Sequence, residues 1–223
     1  IWFKDYLKMK IIDINTKKTS SFETVKNNLQ PHFIGSWNIE NETLCNEIID
    51  FFEGNKDLQK SGITLSGNNQ AAKKTTDIEI SPNDLKNVKF KSLSSYINEL
   101  YKCYTDYQNQ WPLLKDIIKN IHLGGFNIQK YSPGDHFAKI HTERSTIQNL
   151  HRIFAWMTYL NDVDDGGMTN FSHYGIKIKP EIGKTLIWPA EWTHAHSGEV
   201  LNSGVKYIVT GWMHFPHNND RFE

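Results

Sequence analysis

Tyr131-Ser132-Pro133-Gly134-Asp135-His136-Phe137-Ala138-Lys139-Ile140-His141-Thr142-Glu143 is the stretch around which the chain is organised. It ends in a histidine and a carboxylate two residues apart. In an extended segment, residues i and i+2 point to the same face. An imidazole and a carboxylate would then project side by side. They are two of the three groups of a facial metal triad that leaves coordination positions open. The third ligand has to come from elsewhere in the chain.

The surroundings favour strands. After about residue 122, short alternating or apolar runs recur: Phe126–Tyr131, His136–Thr142, Ile153–Leu160, Thr169–Phe171, Lys184–Trp188 and Val205–Met213. Segments 132–135, 161–167, 180–183 and 202–204 separate them and are rich in Gly, Asn, Asp and Pro. Many short strands joined by such turns predict a sandwich or barrel-like β fold. The front half reads differently. Asn41 is a candidate N-cap, Leu44, Ile48 and Phe52 recur at helical spacing, and Gly54 is a stop. A second helix fits Leu93–Tyr107, with Leu93, Ile97, Leu100 and Tyr104 as its stripe, until Trp111-Pro112 interrupts it. Leu113, Leu114, Ile117 and Ile118 make a third. Thr76–Ile80 alternates like a strand, and residues 1–40 read as short strands and loops. Residues 61–76 are polar and Gly-rich, a mobile loop and candidate lid. The expectation is one domain over 1–223. Its helical or mixed part, 1–121, packs on a β core of residues 122–216. The class is mainly β with flanking α.

Composition narrows the function. A chain of 223 residues can bury a sizeable core, and 13% aromatics argue against disorder. Lys plus Arg (25) balance Asp plus Glu (25), so the charge points to neither nucleic acid nor an acidic membrane surface. No apolar run approaches the roughly 18–20 residues that span a bilayer. The first residues lack the basic-then-apolar pattern of a secretory signal. Cys45 and Cys103 form no CxxC and read as two buried thiols of a reducing compartment. A soluble, cytoplasmic protein is expected, without nucleic-acid or membrane partners; nothing indicates an oligomeric state.

Nine of the ten histidines lie between His122 and His217. Segment Trp192–Gly198 offers His194 and His196 some distance after His141 and Glu143. An alternating strand follows, on which Lys206, Ile208, Thr210 and Trp212 share a face by period two. A lysine on an interior face costs several kcal/mol unless an anion pairs with it. The strand holds no acid, so a ligand carboxylate is a candidate partner. The plain alternative is a lysine that snorkels to solvent from the strand end.

In that order, His141-x-Glu143, a distal His196 and Lys206 ten positions later resemble the Fe(II)/2-oxoglutarate-dependent dioxygenases. The resemblance is to their prolyl 4-hydroxylase-like branch, with relatives in bacteria and bacteriophages. It covers roughly 126–215. It includes Tyr131 and Gly134 as Tyr-x-x-Gly, Arg152 before Tyr159-Leu160-Asn161, and Gly166-Gly167 with Thr169 and Phe171. Trp188-Pro189 before the distal histidine and the closing Lys206 and Trp212 complete it.

The resemblance implies a double-stranded β-helix, or jelly roll, with N-terminal helices buttressing one sheet. It implies His141, Glu143 and His196 as catalytic ligands of Fe(II). Lys206 would hold the distal carboxylate of 2-oxoglutarate, whose keto and carboxylate oxygens chelate the metal. Tyr131 and Tyr159 would help hold that co-substrate, and Trp212 would line the metal pocket. O2 is the oxidant and ascorbate a candidate reductant. The implied reaction is hydroxylation of a C–H bond, on a proline of a peptide or protein, with a small molecule as the alternative substrate. Two other readings stand beside it: a non-enzymatic jelly-roll metal-binding module, and a cupin-like metalloenzyme that does not use 2-oxoglutarate.

Three positions depart from the branch. Glu143 stands where it usually has Asp, Met168 where it often has Glu, and Phe137 where it often has Tyr. His194 would share a strand face with His196. His196 is the expected ligand, because it precedes Lys206 by ten residues and begins His-x-Gly. His136, His151, His173, His214 and His217 show no partner pattern. Arg152 either contacts substrate or pairs within the sheet.

Overall fold

The computed structural model describes residues 17–18, 31–63, 67 and 69–216. Most of the expected short strands and loops of 1–30, the middle of the 61–76 loop, and His217 lie outside those residues. The strands are β1 (Lys17–Lys18), β2 (Gly35–Asn38), β3 (Lys60–Ser61), β4 (Thr76–Ile80), β5 (His122–Tyr131) and β6 (Phe137–His141). They continue as β7 (Arg152–Tyr159), β8 (Thr169–Phe171), β9 (Ile176–Ile178), β10 (Lys184–Pro189), β11 (His196–Gly198) and β12 (Lys206–His214). The helices are α1 (Glu42–Gly54), α2 (Lys91–Gln110) and α3 (Leu113–Ile117).

Helix α1 starts where its cap dictates: the Asn41 side chain accepts from the Leu44 amide at 3.0 Å. It buries Leu44, Cys45, Ile48 and Phe52. Helix α2 outruns its expected span at both ends, buries Leu93, Tyr96, Leu100, Cys103, Tyr104 and Tyr107, and stops before Trp111-Pro112. Both cysteines are free and buried in this layer. Burial pushes the Cys45 thiol up to about 11 and the Cys103 thiol higher still, so neither forms a reactive thiolate.

Eight strands form one sheet in the order β1-β2-β10-β7-β12-β5-β4-β3, and four form a second, β6-β11-β8-β9. The large sheet is buried on both faces, which explains the nearly unbroken apolar run of β7. On one face, Phe154 and Trp156 join Phe52, Tyr96, Phe126 and Val209 beneath the helices. On the other, Ala155, Met157 and Tyr159 join Phe171, Trp188 and Ile208 between the sheets. The result is a double-stranded β-helix with helices on one side. Among the described residues, no helix is long and apolar enough to cross a membrane.

The front half also enters the large sheet: β2 pairs with β10 and β4 with β5, so it supplies both flanks. One expectation is corrected. His194 and His196 do not share a strand. Trp192–His194 is a 3-10 turn, and β11 begins only at His196.

Candidate active site

Strand β6 lies antiparallel to β11 with His141 opposite His196. Cross-strand neighbours bring side chains within contact range, and the two imidazole centroids are 4.4 Å apart. Strand β6 ends at His141, so Glu143 belongs to the bend that follows it. Its longer arm reaches back: Oε1 lies 3.6 Å from His141 Nε2 and 3.3 Å from His196 Nε2. One donor atom from each of the three lies within 4.8 Å of the others, the only such trio among the described residues.

The outer nitrogens fix the tautomers. His141 Nδ1 faces the Lys139 carbonyl at 2.9 Å, and His196 Nδ1 faces the His194 carbonyl at 2.9 Å. Carbonyls only accept, so Nδ1 carries the proton and a neutral ring turns its Nε2 lone pair inward. Two lone pairs and a carboxylate oxygen then face one point. Such a cluster is stable only with a cation at its centre, whether protons on the rings or a metal ion. The donor set, two imidazoles and one carboxylate, fits a non-haem iron site. Burial disfavours the Glu143 carboxylate, yet when the cation is protons on the two imidazoles, their hydrogen bonds and charge outweigh it and hold the group well below the usual range.

Glu143 is oriented from behind. The Trp212 indole donates to Oε2 at 2.7 Å. Arg152 Nη1 donates to the Glu143 carbonyl at 3.1 Å, and its guanidinium lies 3.6 Å above the Trp212 ring. Phe137 stacks on His141 at 3.9 Å, nearly parallel. His194 sits elsewhere: its Nε2 faces the His32 carbonyl at 2.9 Å and its Nδ1 the Thr193 hydroxyl. It serves the trio through its backbone carbonyl alone.

A cavity of about 550 Å³ runs from this trio to Lys206. Lys206 is 2% exposed. Among the described residues it has no carboxylate partner. Its ammonium donates to the Gly167 carbonyl at 2.9 Å and lies 4.0 Å from the Tyr131 ring centre. Gly167 has φ +66°, and a Cβ there would come within 3.3 Å of Lys206 Cδ, so glycine leaves the lysine its room. Burial pushes the ammonium down to about 7 against a weaker pull from Glu199. Thr169 completes this end. Its oxygen accepts from Tyr159 at 2.6 Å, so its own proton is free to point into the cavity.

Of the residues the family pattern singled out, His141, Glu143, His196, Lys206, Tyr131 and Trp212 all line the cavity. Tyr159 does not. Expected beside the co-substrate, it is fully buried with its hydroxyl on Thr169. Thr169 stands in the quoted motif without having been given a role. Lys73, Asp77 and Gln129 also line the cavity and gave no signal, because polar residues on a loop and two strands share no local pattern.

Residues 126–214 match the family described as the 2OG-Fe(II) oxygenase superfamily. The chain is 26% identical over 107 residues to human prolyl 4-hydroxylase subunit alpha-1, covering 44% of this chain and 19% of that protein. It is 25% identical over 123 residues to probable prolyl 4-hydroxylase 9 of Arabidopsis thaliana, covering 44% of this chain and 43% of that one. It therefore spans less than half the length of these relatives. Among solved structures, a Pseudomonas putida prolyl-4-hydroxylase aligns with TM-score 0.63 at 12% identity over 83% of this chain and 94% of that one. The viral collagen prolyl hydroxylase of Paramecium Bursaria Chlorella virus-1, solved as its 2OG complex, gives 0.58 at 17% over 82% and 97%. A Trichoplax adhaerens prolyl hydroxylase, in complex with a hypoxia inducible factor peptide fragment, gives 0.62 at 14% over 82% and 84%.

Proposed function

We propose that the chain, whose residues 126–214 match the 2OG-Fe(II) oxygenase superfamily, is an Fe(II)- and 2-oxoglutarate-dependent hydroxylase acting on a proline of a peptide or protein. One observation carries the reading. A buried lysine with no carboxylate partner among the described residues closes one end of a cavity whose other end is a trio of inward-turned metal-ligating atoms. A buried ammonium with no counter-charge is costly, and a dicarboxylate chelating the metal would supply that charge.

His141, Glu143 and His196 would hold the metal, with Trp212 and Arg152 fixing the Glu143 carboxylate. Iron, 2-oxoglutarate and O2 together supply the oxidation: 2-oxoglutarate leaves as succinate and CO2 while a substrate C–H becomes C–OH. Lys206 and the Thr169 hydroxyl bind the distal carboxylate. The rings of Phe137, Trp188 and Trp212 wall the metal and exclude water. The peptide-proline assignment rests on the prolyl 4-hydroxylases among the relatives and on the peptide complex of the Trichoplax protein. The two buried free thiols support a reducing, cytoplasmic setting.

The test is turnover of 2-oxoglutarate to succinate with Fe(II), O2 and ascorbate, in the presence of proline-containing peptides, with the peptide gaining one oxygen. Absence of 2-oxoglutarate binding to the metal-loaded chain overturns the reading.

A further inference from the structure

Tyr131 sits beside Lys206 in the cavity wall, and its phenol looks like a second donor for a carboxylate. Following the protons excludes that. The Asp77 carboxylate accepts from the Thr75 hydroxyl at 2.7 Å, the Lys73 ammonium at 2.6 Å and Gln129 Nε2 at 3.2 Å. A carboxylate only accepts, so the NH2 side of the Gln129 amide must face Asp77. That orientation turns Gln129 Oε1 to Tyr131, which donates its single proton there at 2.9 Å. The phenol oxygen keeps only lone pairs, and a carboxylate repels them. What Tyr131 offers instead is its ring, with the Lys206 ammonium 4.0 Å from the centre. A ring face attracts a cation, most strongly where water is excluded.

We propose that Lys73, Asp77 and Gln129 form a positioning relay that withholds the Tyr131 hydroxyl from the co-substrate and presents its ring to Lys206. Affinity for the distal carboxylate of 2-oxoglutarate then depends on the Tyr131 ring and not on its hydroxyl. This deepens the function proposed above and rests on it.

The relay begins in the 69–75 segment. Lys73 is 4% exposed, and its ammonium also lies 5.7 Å from the Phe137 ring that stacks on His141. The segment is fastened to the flank of β6. The Lys74 amide donates to the His136 carbonyl at 2.8 Å, the His136 amide to the Lys74 carbonyl at 3.1 Å, and the Lys139 amide to the Ala72 carbonyl at 3.2 Å. The described end of the expected lid is therefore part of the cavity wall, and the relay connects that wall to the co-substrate lysine.

The test is calorimetric titration of 2-oxoglutarate into the full chain loaded with Mn(II), with a cycle of variants. Tyr131→Phe keeps the ring and weakens binding by less than about twofold, whereas Tyr131→Leu removes it and weakens binding by about tenfold. In Gln129→Leu the amide acceptor is gone and the phenol proton is released toward the cavity. Tyr131→Phe in that background costs about tenfold, as loss of a hydrogen bond to a charged group does. A purely structural tyrosine would show one cost in both backgrounds. A tenfold loss for Tyr131→Phe in the otherwise unchanged chain, or equal costs in both, overturns the proposal. A readout without co-substrate separates the two readings: the Lys206 titration followed by NMR on lysine-labelled chain. Tyr131→Leu lowers its midpoint by about half a unit or more and Tyr131→Phe does not. If wild type binds no 2-oxoglutarate, the proposed function fails, and this titration still decides the role of the ring.

Discussion

The Trp212 indole donates to Glu143 Oε2 at 2.7 Å, leaving Oε1 alone to face the two imidazoles. An aromatic on β12 thus decides which carboxylate oxygen is available to a metal. Trp212→Phe keeps an apolar ring beneath Arg152 but removes the donor. Loss of such a supporting hydrogen bond lowers metal affinity by about 10–100-fold. Anaerobic titration with Fe(II), or titration with Mn(II), measures it; an unchanged affinity would show that the Glu143 orientation comes from Arg152.

His194 and His196 separate by readout. His196→Ala removes a ligand atom and abolishes metal binding at stoichiometric concentrations. His194→Ala leaves the trio intact, because the carbonyl that holds His196 belongs to the backbone. It strips the half-buried His32 carbonyl of a partner and lowers stability by about 1 kcal/mol. Thermal melts and metal titrations on both variants check this, and metal loss in His194→Ala alone would reverse the assignment.

The legible parts of the sequence were those with a local signature. The cap at Asn41, the stripe of α2 and the turn-punctuated strands of the back half each carry their own pattern, and the elements follow them. His196 was separable from His194 by its spacing to Lys206. The 3-10 turn that divides them was not, since three residues have no period. Strand β2 was hidden in Gly35-Ser36-Trp37-Asn38, which becomes a strand only because β10 lies against it. Strand β9, three residues long, was equally silent. The Lys73–Asp77–Gln129–Tyr131 chain was illegible for the same reason: its members meet only once a loop and two strands are assembled.

Lys206 makes stability and co-substrate binding depend on pH in opposite directions. Burial pushes its ammonium down to about 7, whereas an unfolded lysine holds its proton up to about 10.4. Between those values the unfolded chain binds more protons, so stability of the chain without co-substrate rises with pH over that window. Below it the buried charge weighs fully against the fold. Lys206→Met therefore raises stability near neutral pH by about 1–4 kcal/mol, flattens that rise, and abolishes 2-oxoglutarate binding. In the unsubstituted chain above about pH 7, binding takes up a proton and weakens as pH rises. Denaturation across pH, and calorimetry in buffers of different ionisation enthalpy, read both effects; proton release on binding would contradict the scheme.

Glu143 is matched in length to its place. The Thr142 hydroxyl donates to the Ala190 carbonyl at 3.0 Å and Arg152 to the Glu143 carbonyl at 3.1 Å, so the backbone of the bend is held from two sides. With β6 ending at His141, the carboxylate spans its gap to His196 Nε2 by its second methylene. Glu143→Asp withdraws the oxygens by about 1.5 Å and takes Oε2 out of reach of the Trp212 indole. Metal affinity falls about tenfold or more, in line with loss of a supporting contact to a ligand. Glu143→Gln keeps the length and the Trp212 contact but removes the charge, which two neutral imidazoles cannot replace, and it loses more. Metal titration of the pair ranks length against charge. If Glu143→Asp binds as tightly as the unsubstituted chain, the bend is free to move, and the Thr142 and Arg152 contacts do not fix it.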